Sequence, residues 1–148
     1  MTAHTGRRSR LPLALTAVLC LPLTGALAAA AATETSSVTL NLQGGYANRQ
    51  LTACSLKHHY TYFHARNTIT MKGSVAPTPA SSWRVKVKVK QCLRGSFRAV
   101  WAGYAPGNAD GSFKTTYRAS RRGFLFARAY YYGATPTVRS DKQYFRVR

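Results

Sequence analysis

Hydrophobic and polar positions alternate most regularly in the stretch between Trp83 and Cys92. Three valines alternate there with four cationic residues: Val85, Val87 and Val89 with Arg84, Lys86, Lys88 and Lys90. Successive side chains of a strand point to opposite faces, so this pattern predicts a strand with one apolar face and one cationic face. On a helix the same valines would be spread around the cylinder and would share no buried face.

Shorter segments with the same alternation occur on both sides of this strand, at 37–43, 68–75, 97–104, 112–119, 123–132 and 143–148. Clusters of Gly, Pro, Asn and Asp separate several of them. Because about seven short strands with regular turn signals are typical of such folds, we predict an all-β, antiparallel β-sandwich, with a closed barrel as the alternative. Segment 46–64 is rich in Tyr and His, and the pattern leaves open whether it joins the sandwich.

Large apolar residues assign faces to two of these strands. In segment 97–104, one face is predicted to carry Phe97, Ala99 and Trp101. In segment 123–132, the side chains predicted to be core are Phe124, Phe126 and Tyr130. Both predictions rest on an unbroken two-residue period.

The beginning of the chain predicts a secretory signal. Arg7, Arg8 and Arg10 precede an apolar segment at 11–27, and an alanine run supplies a cleavage site between Ala30 and Ala32. We therefore expect a secreted protein whose mature chain begins near residue 33. The export route, general secretion or twin-arginine, stays open.

An uncleaved membrane anchor is the alternative, since residues 11–32 are long enough to span a bilayer. Pro12, Pro22 and the alanine run argue against it, so no stable transmembrane anchor is expected. The predicted organisation is a signal peptide at 1–32, an N-terminal extension at 33–67 with the first strand and Cys54, and a sandwich core at 68–148.

The charge is strongly one-sided. The chain has 22 Lys and Arg against three acidic residues, a formal net charge of +19. Loss of the three signal-peptide arginines would lower it to +16. Such an imbalance favours acidic partners. Outside a cell these are anionic wall polymers, lipid head groups, nucleic acid or an acidic protein, although a solvated basic face that only guards sheet edges is the simpler reading.

Two cysteines follow the signal, Cys54 and Cys92. In an exported chain an even number of cysteines indicates a disulfide, and with two the intramolecular pairing is forced. A metal site is a poorer match, because the two thiols lack the C-x-x-C spacing of structural zinc sites.

The order of motifs in the second half resembles that of the immunoglobulin-like domains of secreted actinobacterial proteins. Those domains show a G-x-V-x-P segment, an alternating valine strand, a D-G-x-F/Y hairpin and a G-x-Y/F-x-x-R-A strand. The first three motifs correspond here to Gly73, Val75 and Pro77, to Val85, Val87 and Val89, and to Asp110, Gly111 and Phe113, with Gly95 and Phe97 between the second and the third. The last corresponds to Gly123, Arg128 and Ala129, with Phe124 and Phe126 on either side of its aromatic position. The resemblance covers 68–148 and implies a non-catalytic binding, spacer or assembly module. The cysteine pair, the Tyr/His-rich extension and the lack of a companion enzyme domain depart from the family.

The acidic residues argue against hydrolytic chemistry. Glu34, Asp110 and Asp141 are far apart in sequence, and Asp110 precedes a glycine in a turn. Glycosidases and carboxylate metal sites need two or more acids together. We therefore predict no enzymatic activity and no cofactor.

Three histidines are the candidates for a metal site: His58, His59 and His64. In a strand His58 and His64 would share a face, and His59 would lie on the other. Surface histidines among tyrosines are the simpler interpretation, so no metal is predicted.

Basic and aromatic residues supply the candidate binding surface. The predicted polyanion-binding residues are Arg84, Lys86, Lys88, Lys90, Arg118, Arg121 and Arg122, and the predicted contact aromatics are Tyr130, Tyr131 and Tyr132. Three consecutive tyrosines cannot all point inward, so at least one should be exposed.

These observations lead to three functional hypotheses. The first is a secreted binding module for an anionic cell-surface polymer, with nucleic acid as a less favoured ligand. The second is an adaptor subunit that adds its first strand, at 37–43, to the sheet edge of a secreted protein partner. The third is a metal protein that uses the histidines.

Overall fold

The computed structural model describes residues 35–148, and this part of the chain is all-β. In chain order its strands are β1 (Ser37–Val38), β2 (Asn41–Gln43), β3 (Ala47–Ala53), β4 (Leu56–Phe63), β5 (Thr68–Ala76), β6 (Arg84–Leu93), β7 (Ser96–Pro106), β8 (Ser112–Arg118), β9 (Gly123–Tyr131), β10 (Val138–Arg139) and β11 (Gln143–Val147). The predicted signal peptide lies outside the described residues. Among those residues, no helix with the length and apolar character needed to cross a membrane occurs.

The strands form two separate sheets. In the smaller sheet β5 is central, with β8 on one side and β1 and β2 along the other. The larger sheet has the order β3-β4-β11-β9-β6-β7, and β10 also pairs with β9. All pairs are antiparallel except β4 with β11, which is parallel, so the larger sheet is mixed rather than purely antiparallel as predicted. At the coarser level, the predicted all-β, sandwich-like fold is confirmed.

The main hydrophobic core joins the two sheets. Strand β6 contributes Val85, Val87 and Val89, which are fully buried together with Ile69 and Met71 of β5. Full burial of a valine side chain contributes roughly 1.5–3 kcal/mol. The valine half of the Val/Lys alternation therefore forms the inner face of β6, as predicted.

A β-bulge interrupts the alternation in β7. Lys90 pairs with Ala99, whereas the preceding Val89 pairs with Trp101, so Val100 is an extra residue without a partner on β6. The bulge turns Trp101 towards the core side and leaves Ala99 on the outer side. The predicted common face of Phe97, Ala99 and Trp101 is therefore wrong.

The core prediction for β9 is confirmed only for Phe126, which is buried, although not in the main core; Phe124 and Tyr130 are partly buried. The residues of β9 that are fully buried in the main core are Leu125, Ala127 and Ala129. Phe124 and Phe126 point to the opposite side of the larger sheet. They are sheltered there because the β3–β4 hairpin and Tyr144 pack over them, which gives aromatic side chains a second place to be buried.

The first predicted strand, 37–43, is split into β1 and β2, and both pair with β5. The split lies at Thr39 and Leu40. The Thr39 amide donates to the Ser74 carbonyl at 2.9 Å, and the Ser74 amide donates to Thr39 Oγ1 at 3.0 Å. This segment thus forms an edge of the protein's own smaller sheet.

Segment 46–64 forms the β3–β4 hairpin, and β4 pairs in parallel with β11, so the segment is part of the larger sheet. Cys54 and Ser55 form its turn with φ values of 49° and 60°, the left-handed geometry of tight hairpin turns. Cys54 is bonded to Cys92 near the end of β6, with 5.9 Å between their Cα atoms. The predicted disulfide is confirmed, and it fastens the hairpin tip to a strand that is not its neighbour in the sheet.

A second buried cluster lies beneath this hairpin. It contains Tyr60 and Tyr62, packed with Phe124 and Tyr144. The Tyr60 ring meets those of Phe124 and Tyr144 edge to face, at centroid distances of 5.2 and 5.6 Å. Its hydroxyl is buried without a hydrogen-bond partner, and burial raises the pKa of Tyr60, with a further contribution from Tyr144.

We expect Tyr60→Phe to raise the free energy of unfolding at neutral pH by about 1 kcal/mol, because the substitution removes an unpaired buried hydroxyl and keeps the ring. The variant should also lose less stability at alkaline pH than the wild type does. Above the ordinary tyrosine pKa of 10.0, the unfolded chain releases the Tyr60 proton while the folded protein retains it, so stability falls as the pH rises. Urea unfolding at pH 7 and above pH 10 measures both effects.

Tyr62→Phe is the matched control, since the Tyr62 hydroxyl is not among the buried atoms that lack a partner. It should produce no gain at pH 7. Tyr117, whose pKa is also raised by burial, contributes the same alkaline loss to every variant. A Tyr60→Phe protein less stable than the wild type would show that the hydroxyl has a stabilising partner.

Candidate functional site

The four cations predicted on β6 lie together on the outer side of the larger sheet, beside β7 and β9. Lys86 pairs with Tyr104 of β7 and with Tyr130 of β9, so the three side chains form one row across the sheet. Lys88 pairs with Arg128 of β9 in the next row. We call this surface the cationic face and define it by Arg84, Lys86, Lys88, Lys90, Tyr104 and Tyr130.

Aromatic rings hold three of its cations. The Arg84 guanidinium carbon lies 4.8 Å from the centre of the Tyr104 ring, and Lys86 Nζ lies 5.4 Å from the same ring. Lys88 Nζ lies 4.9 Å from the centre of the Tyr130 ring. Cation–π contacts at these distances are attractive and leave the N–H donors at the edge of the group available to an anion. The rings therefore order the cations without neutralising them.

The field of this face is uniformly positive. Strands β6, β7 and β9 contain no Asp or Glu. Arg139 of β10 pairs with Tyr130 and extends the basic surface beyond β9. The Arg128 Nε donates to the Ser140 carbonyl at 2.9 Å, which fixes that side chain at the margin. Adjacent like charges repel, so an anionic ligand would relieve this repulsion on binding.

The three predicted contact tyrosines do not lie on one side of the sheet. Tyr132 is 53% exposed and stacks on Tyr130, with ring centres 6.5 Å apart. Tyr131 points to the other side of β9 and meets Trp83 edge to face at 6.0 Å. Tyr130 and Tyr132 thus belong to the outer surface, and Tyr131 packs at the margin of the core.

The predicted arginines form a separate basic region. Arg118 ends β8 in the smaller sheet, and Arg121 and Arg122 lie between β8 and β9. The Gln91 amide donates to the Arg122 carbonyl at 2.9 Å, which places this segment near the Cys92 end of β6, away from Arg84. Arg98, Arg118 and Arg121 line a groove there together with two aromatic residues, Trp101 and Tyr117. The structure therefore does not bring all the predicted cations into one surface.

Two of the three candidate histidines stack on aromatic rings, and the third, His59, is exposed on β4 opposite Gln50 of β3. His58 stacks on Tyr144 at 3.8 Å, and His64 stacks on Tyr46 at 4.4 Å. Residues 35–148 contain no group of three or more His, Cys, Asp or Glu side chains placed to hold a metal ion. The two histidines of the predicted shared face are therefore placed against different rings.

The described acidic residues lie in connections between strands. Asp110 accepts a hydrogen bond from the Ser112 amide at 2.9 Å in the β7–β8 turn. Hydrogen bonding to Ser112 lowers the pKa of the Asp110 carboxyl. Asp141 lies between β10 and β11. Asp110 thus has a structural role in its turn, which the Asp-Gly pair predicts from sequence.

Sequence reasoning missed Tyr104, and the β7 bulge explains why. The register near the β6–β7 turn, continued without interruption, would place Gly103 opposite Lys86 and turn Tyr104 inward. The extra residue Val100 shifts the register by one, so Tyr104 comes to lie beside Lys86 on the outer side. Once the bulge is known, Tyr104 follows from counting along the hairpin.

Two comparisons with known protein sequences find no match. A scan against protein-family models finds no matching family, and a search of curated proteins finds no similar sequence.

Proposed function

We propose that this protein is a small, secreted, non-enzymatic module that binds anionic polymers outside the cell, and that it binds them on the cationic face. The observation that carries the proposal is the row of cations on β6, with Arg84, Lys86 and Lys88 held against the tyrosines of the neighbouring strands. The expected partners are acidic cell-wall polymers and other extracellular polyanions.

The spacing of these cations suits a repeating ligand. Every second residue of a strand is about 7 Å further along, so Arg84, Lys86, Lys88 and Lys90 form a line of charges about 20 Å long. A small anion would meet one or two of them, whereas a polymer lying along β6 meets all four. Each contact releases counterions from the polymer, which is the main source of affinity in such complexes.

Export is supported by two features. The predicted signal at 1–32 would direct the chain out of the cytoplasm. The bond between Cys54 and Cys92 is of the kind that persists in oxidising, extracellular surroundings.

We also propose that the sandwich is of the immunoglobulin-like type found in secreted actinobacterial proteins. The support is the order of its motifs between 68 and 148 and the packing of two sheets around a shared core. That class of domain has binding and assembly roles, in keeping with the proposed function.

Salt dependence tests the proposal directly. With four charge contacts, affinity for inorganic polyphosphate or purified bacterial cell wall should fall about 50-fold between roughly 50 and 200 mM salt. The double variant Lys86→Gln/Lys88→Gln should bind about tenfold more weakly at low salt. Its plot of log affinity against log salt should be shallower, with a slope smaller in magnitude by about two. Fluorescence anisotropy over a salt series measures both.

The matched control is Lys72→Gln/Lys114→Gln, which removes the same charge from exposed, paired positions of the smaller sheet. It should reduce affinity less than about threefold, because salt screens exposed charges that do not contact the polymer. Equal losses from the two double variants would mean that net charge alone, and not the cationic face, attracts the polymer. An affinity that does not change with salt concentration would refute the proposal.

A further inference from the structure

A pocket of about 630 Å³ opens at the Arg84 end of the cationic face. Its walls are mainly aromatic, and the residues that matter for the argument are Ser82, Trp83, Arg84, Tyr104, Tyr131 and Tyr132. The pocket therefore continues the row of charges with a surface of different chemistry. A row of cations binds a chain of anions without it, so the pocket suggests a ligand that also has an apolar part.

The floor of the pocket is rigid. Trp83 meets Tyr131 and Phe113 edge to face, at 6.0 and 6.4 Å. Gly107 lies so close to the Trp83 indole that a side chain there would collide with it. The indole is thus held by a ring on each of two strands and by the backbone, and a preformed wall loses little entropy when a ligand binds.

The rim of the pocket is accessible. Tyr104 and Tyr132 are each 53% exposed, among the most exposed large apolar side chains in the described chain. The Arg84 guanidinium lies over the Tyr104 ring, so its position is set before any ligand arrives. Ser82 adds a hydroxyl beside it. Exposed rings next to a fixed cation and a hydroxyl form an amphipathic recognition surface.

We propose that the pocket binds one ring of an acidic polysaccharide, while the cationic face binds the acidic units that follow it. The apolar side of the sugar ring would lie on Tyr132, its hydroxyls would meet Ser82, and its carboxylate would meet Arg84. This inference rests on the proposed function and narrows its ligand to a polyanion built of rings.

Two other ligands fit the pocket less well. A linear polyphosphate has no ring and would leave the aromatic walls unused. A nucleobase is read through its hydrogen-bonding edge, often by Asn or Gln side chains, and neither residue lines this pocket. Ring stacking alone is common to bases and sugars, so nucleic acid is an outcome that the test has to separate.

The test compares three probes on the purified protein at one salt concentration: oligogalacturonate, inorganic polyphosphate and oligothymidylate. Tyr132→Ala should weaken oligogalacturonate binding about tenfold, the loss expected for one aromatic contact, and polyphosphate binding less than about twofold. The rings that hold Arg84, Lys86 and Lys88 are those of Tyr104 and Tyr130, which this variant keeps. Tyr46→Ala is the matched control, since Tyr46 is 50% exposed but stacks on His64 at the start of β3. It should leave all three affinities unchanged.

Each other outcome overturns the inference in a recognisable way. Equal losses for oligogalacturonate and polyphosphate would show that Tyr132 acts through its stacking on Tyr130 and so through Lys88, with no sugar ring in the pocket. Tighter, Tyr132-dependent binding of oligothymidylate would assign the pocket to nucleic acid. Salt-dependent binding of polyphosphate without any of oligogalacturonate would refute the saccharide and leave the proposed function standing. If none of the polyanions binds, both the saccharide inference and the proposed function are refuted.

Discussion

The double substitution Cys54→Ala/Cys92→Ala should lower the free energy of unfolding by about 4 kcal/mol. The bond closes a loop with a sequence separation of 38 residues, and a cross-link of that span removes much of the conformational freedom of the unfolded chain. Since domains of this size are stable by about 5–15 kcal/mol, the bond accounts for a large share of the total.

The native structure adds a local reason for the same loss. The bond attaches the tip of the β3–β4 hairpin to β6, although β11 and β9 lie between β4 and β6 in the sheet. This attachment keeps the hairpin over the aromatic cluster of Tyr60, Phe124 and Tyr144. Without it, we expect the cluster to open before the main core does, because the hairpin is then held by the β4–β11 pairing and by Phe63 in the main core, while its tip is free of β6.

Urea unfolding followed by the fluorescence of Trp83 and Trp101 measures the loss. The denaturant dependence should become steeper in the double variant, because an uncrosslinked unfolded chain exposes more surface. Reduction of the wild-type bond should reproduce the result and so separates the effect of the bond from that of the side chains. A loss below about 1 kcal/mol would contradict the chain-entropy account.

Binding provides a second readout for the same variant. The Cys92 end of β6 is opposite to the end that carries Arg84 and Lys86. Under conditions in which the double variant is still folded, its affinity for polyphosphate should therefore stay within about twofold of the wild type. A larger change would mean that the hairpin contributes to the cationic face.

The sequence predicts the fold class where a single interaction, such as burial, determines the alternation of residues along a strand. In β6 the valines need burial and the lysines need water, so period two indicates both the strand and its inner face. The disulfide follows as well, because two cysteines allow one intramolecular pairing. The Asp-Gly turn at Asp110 is visible for the same reason, since its backbone geometry favours those residues.

The remaining features depend on contacts between distant segments. Phe124 and Phe126 look like core residues in sequence, yet the main core takes Leu125 and Ala127 because the hairpin covers the other side of β9. Likewise, no local signal marks Val100 as a bulge, and without the bulge Tyr104 does not belong to the cationic face. The candidate site could therefore be predicted in part: its cations and Tyr130 follow from the sequence, whereas Tyr104 does not.

The strand β11 has a structural role that its five residues do not suggest. It pairs with β4 on one side and β9 on the other, and so connects the hairpin to the strands that form the cationic face. Phe145 lies at its centre and is fully buried. Its ring meets Phe63 edge to face at 5.8 Å and Tyr117 at 6.3 Å, so it contacts side chains from both sheets.

We expect Phe145→Ala to cost about 3–5 kcal/mol of unfolding free energy. The surrounding strands are hydrogen-bonded to β11 on both sides and cannot close onto the space that the ring leaves. Phe97→Ala is the matched control: that ring is partly exposed near the start of β7, 4.9 Å from Phe126, and its loss should cost about 1 kcal/mol. Urea unfolding of both variants gives the comparison.

Phe145→Leu keeps the test usable if the alanine variant does not fold. Leucine fills part of the space, so its cost should lie between those of Phe97→Ala and Phe145→Ala, at about 1–2 kcal/mol. A Phe145→Ala protein no less stable than Phe97→Ala would mean that the core around β11 can collapse. In that case the second buried cluster and the disulfide, rather than the packing between the two sheets, would be the main source of the protein's stability.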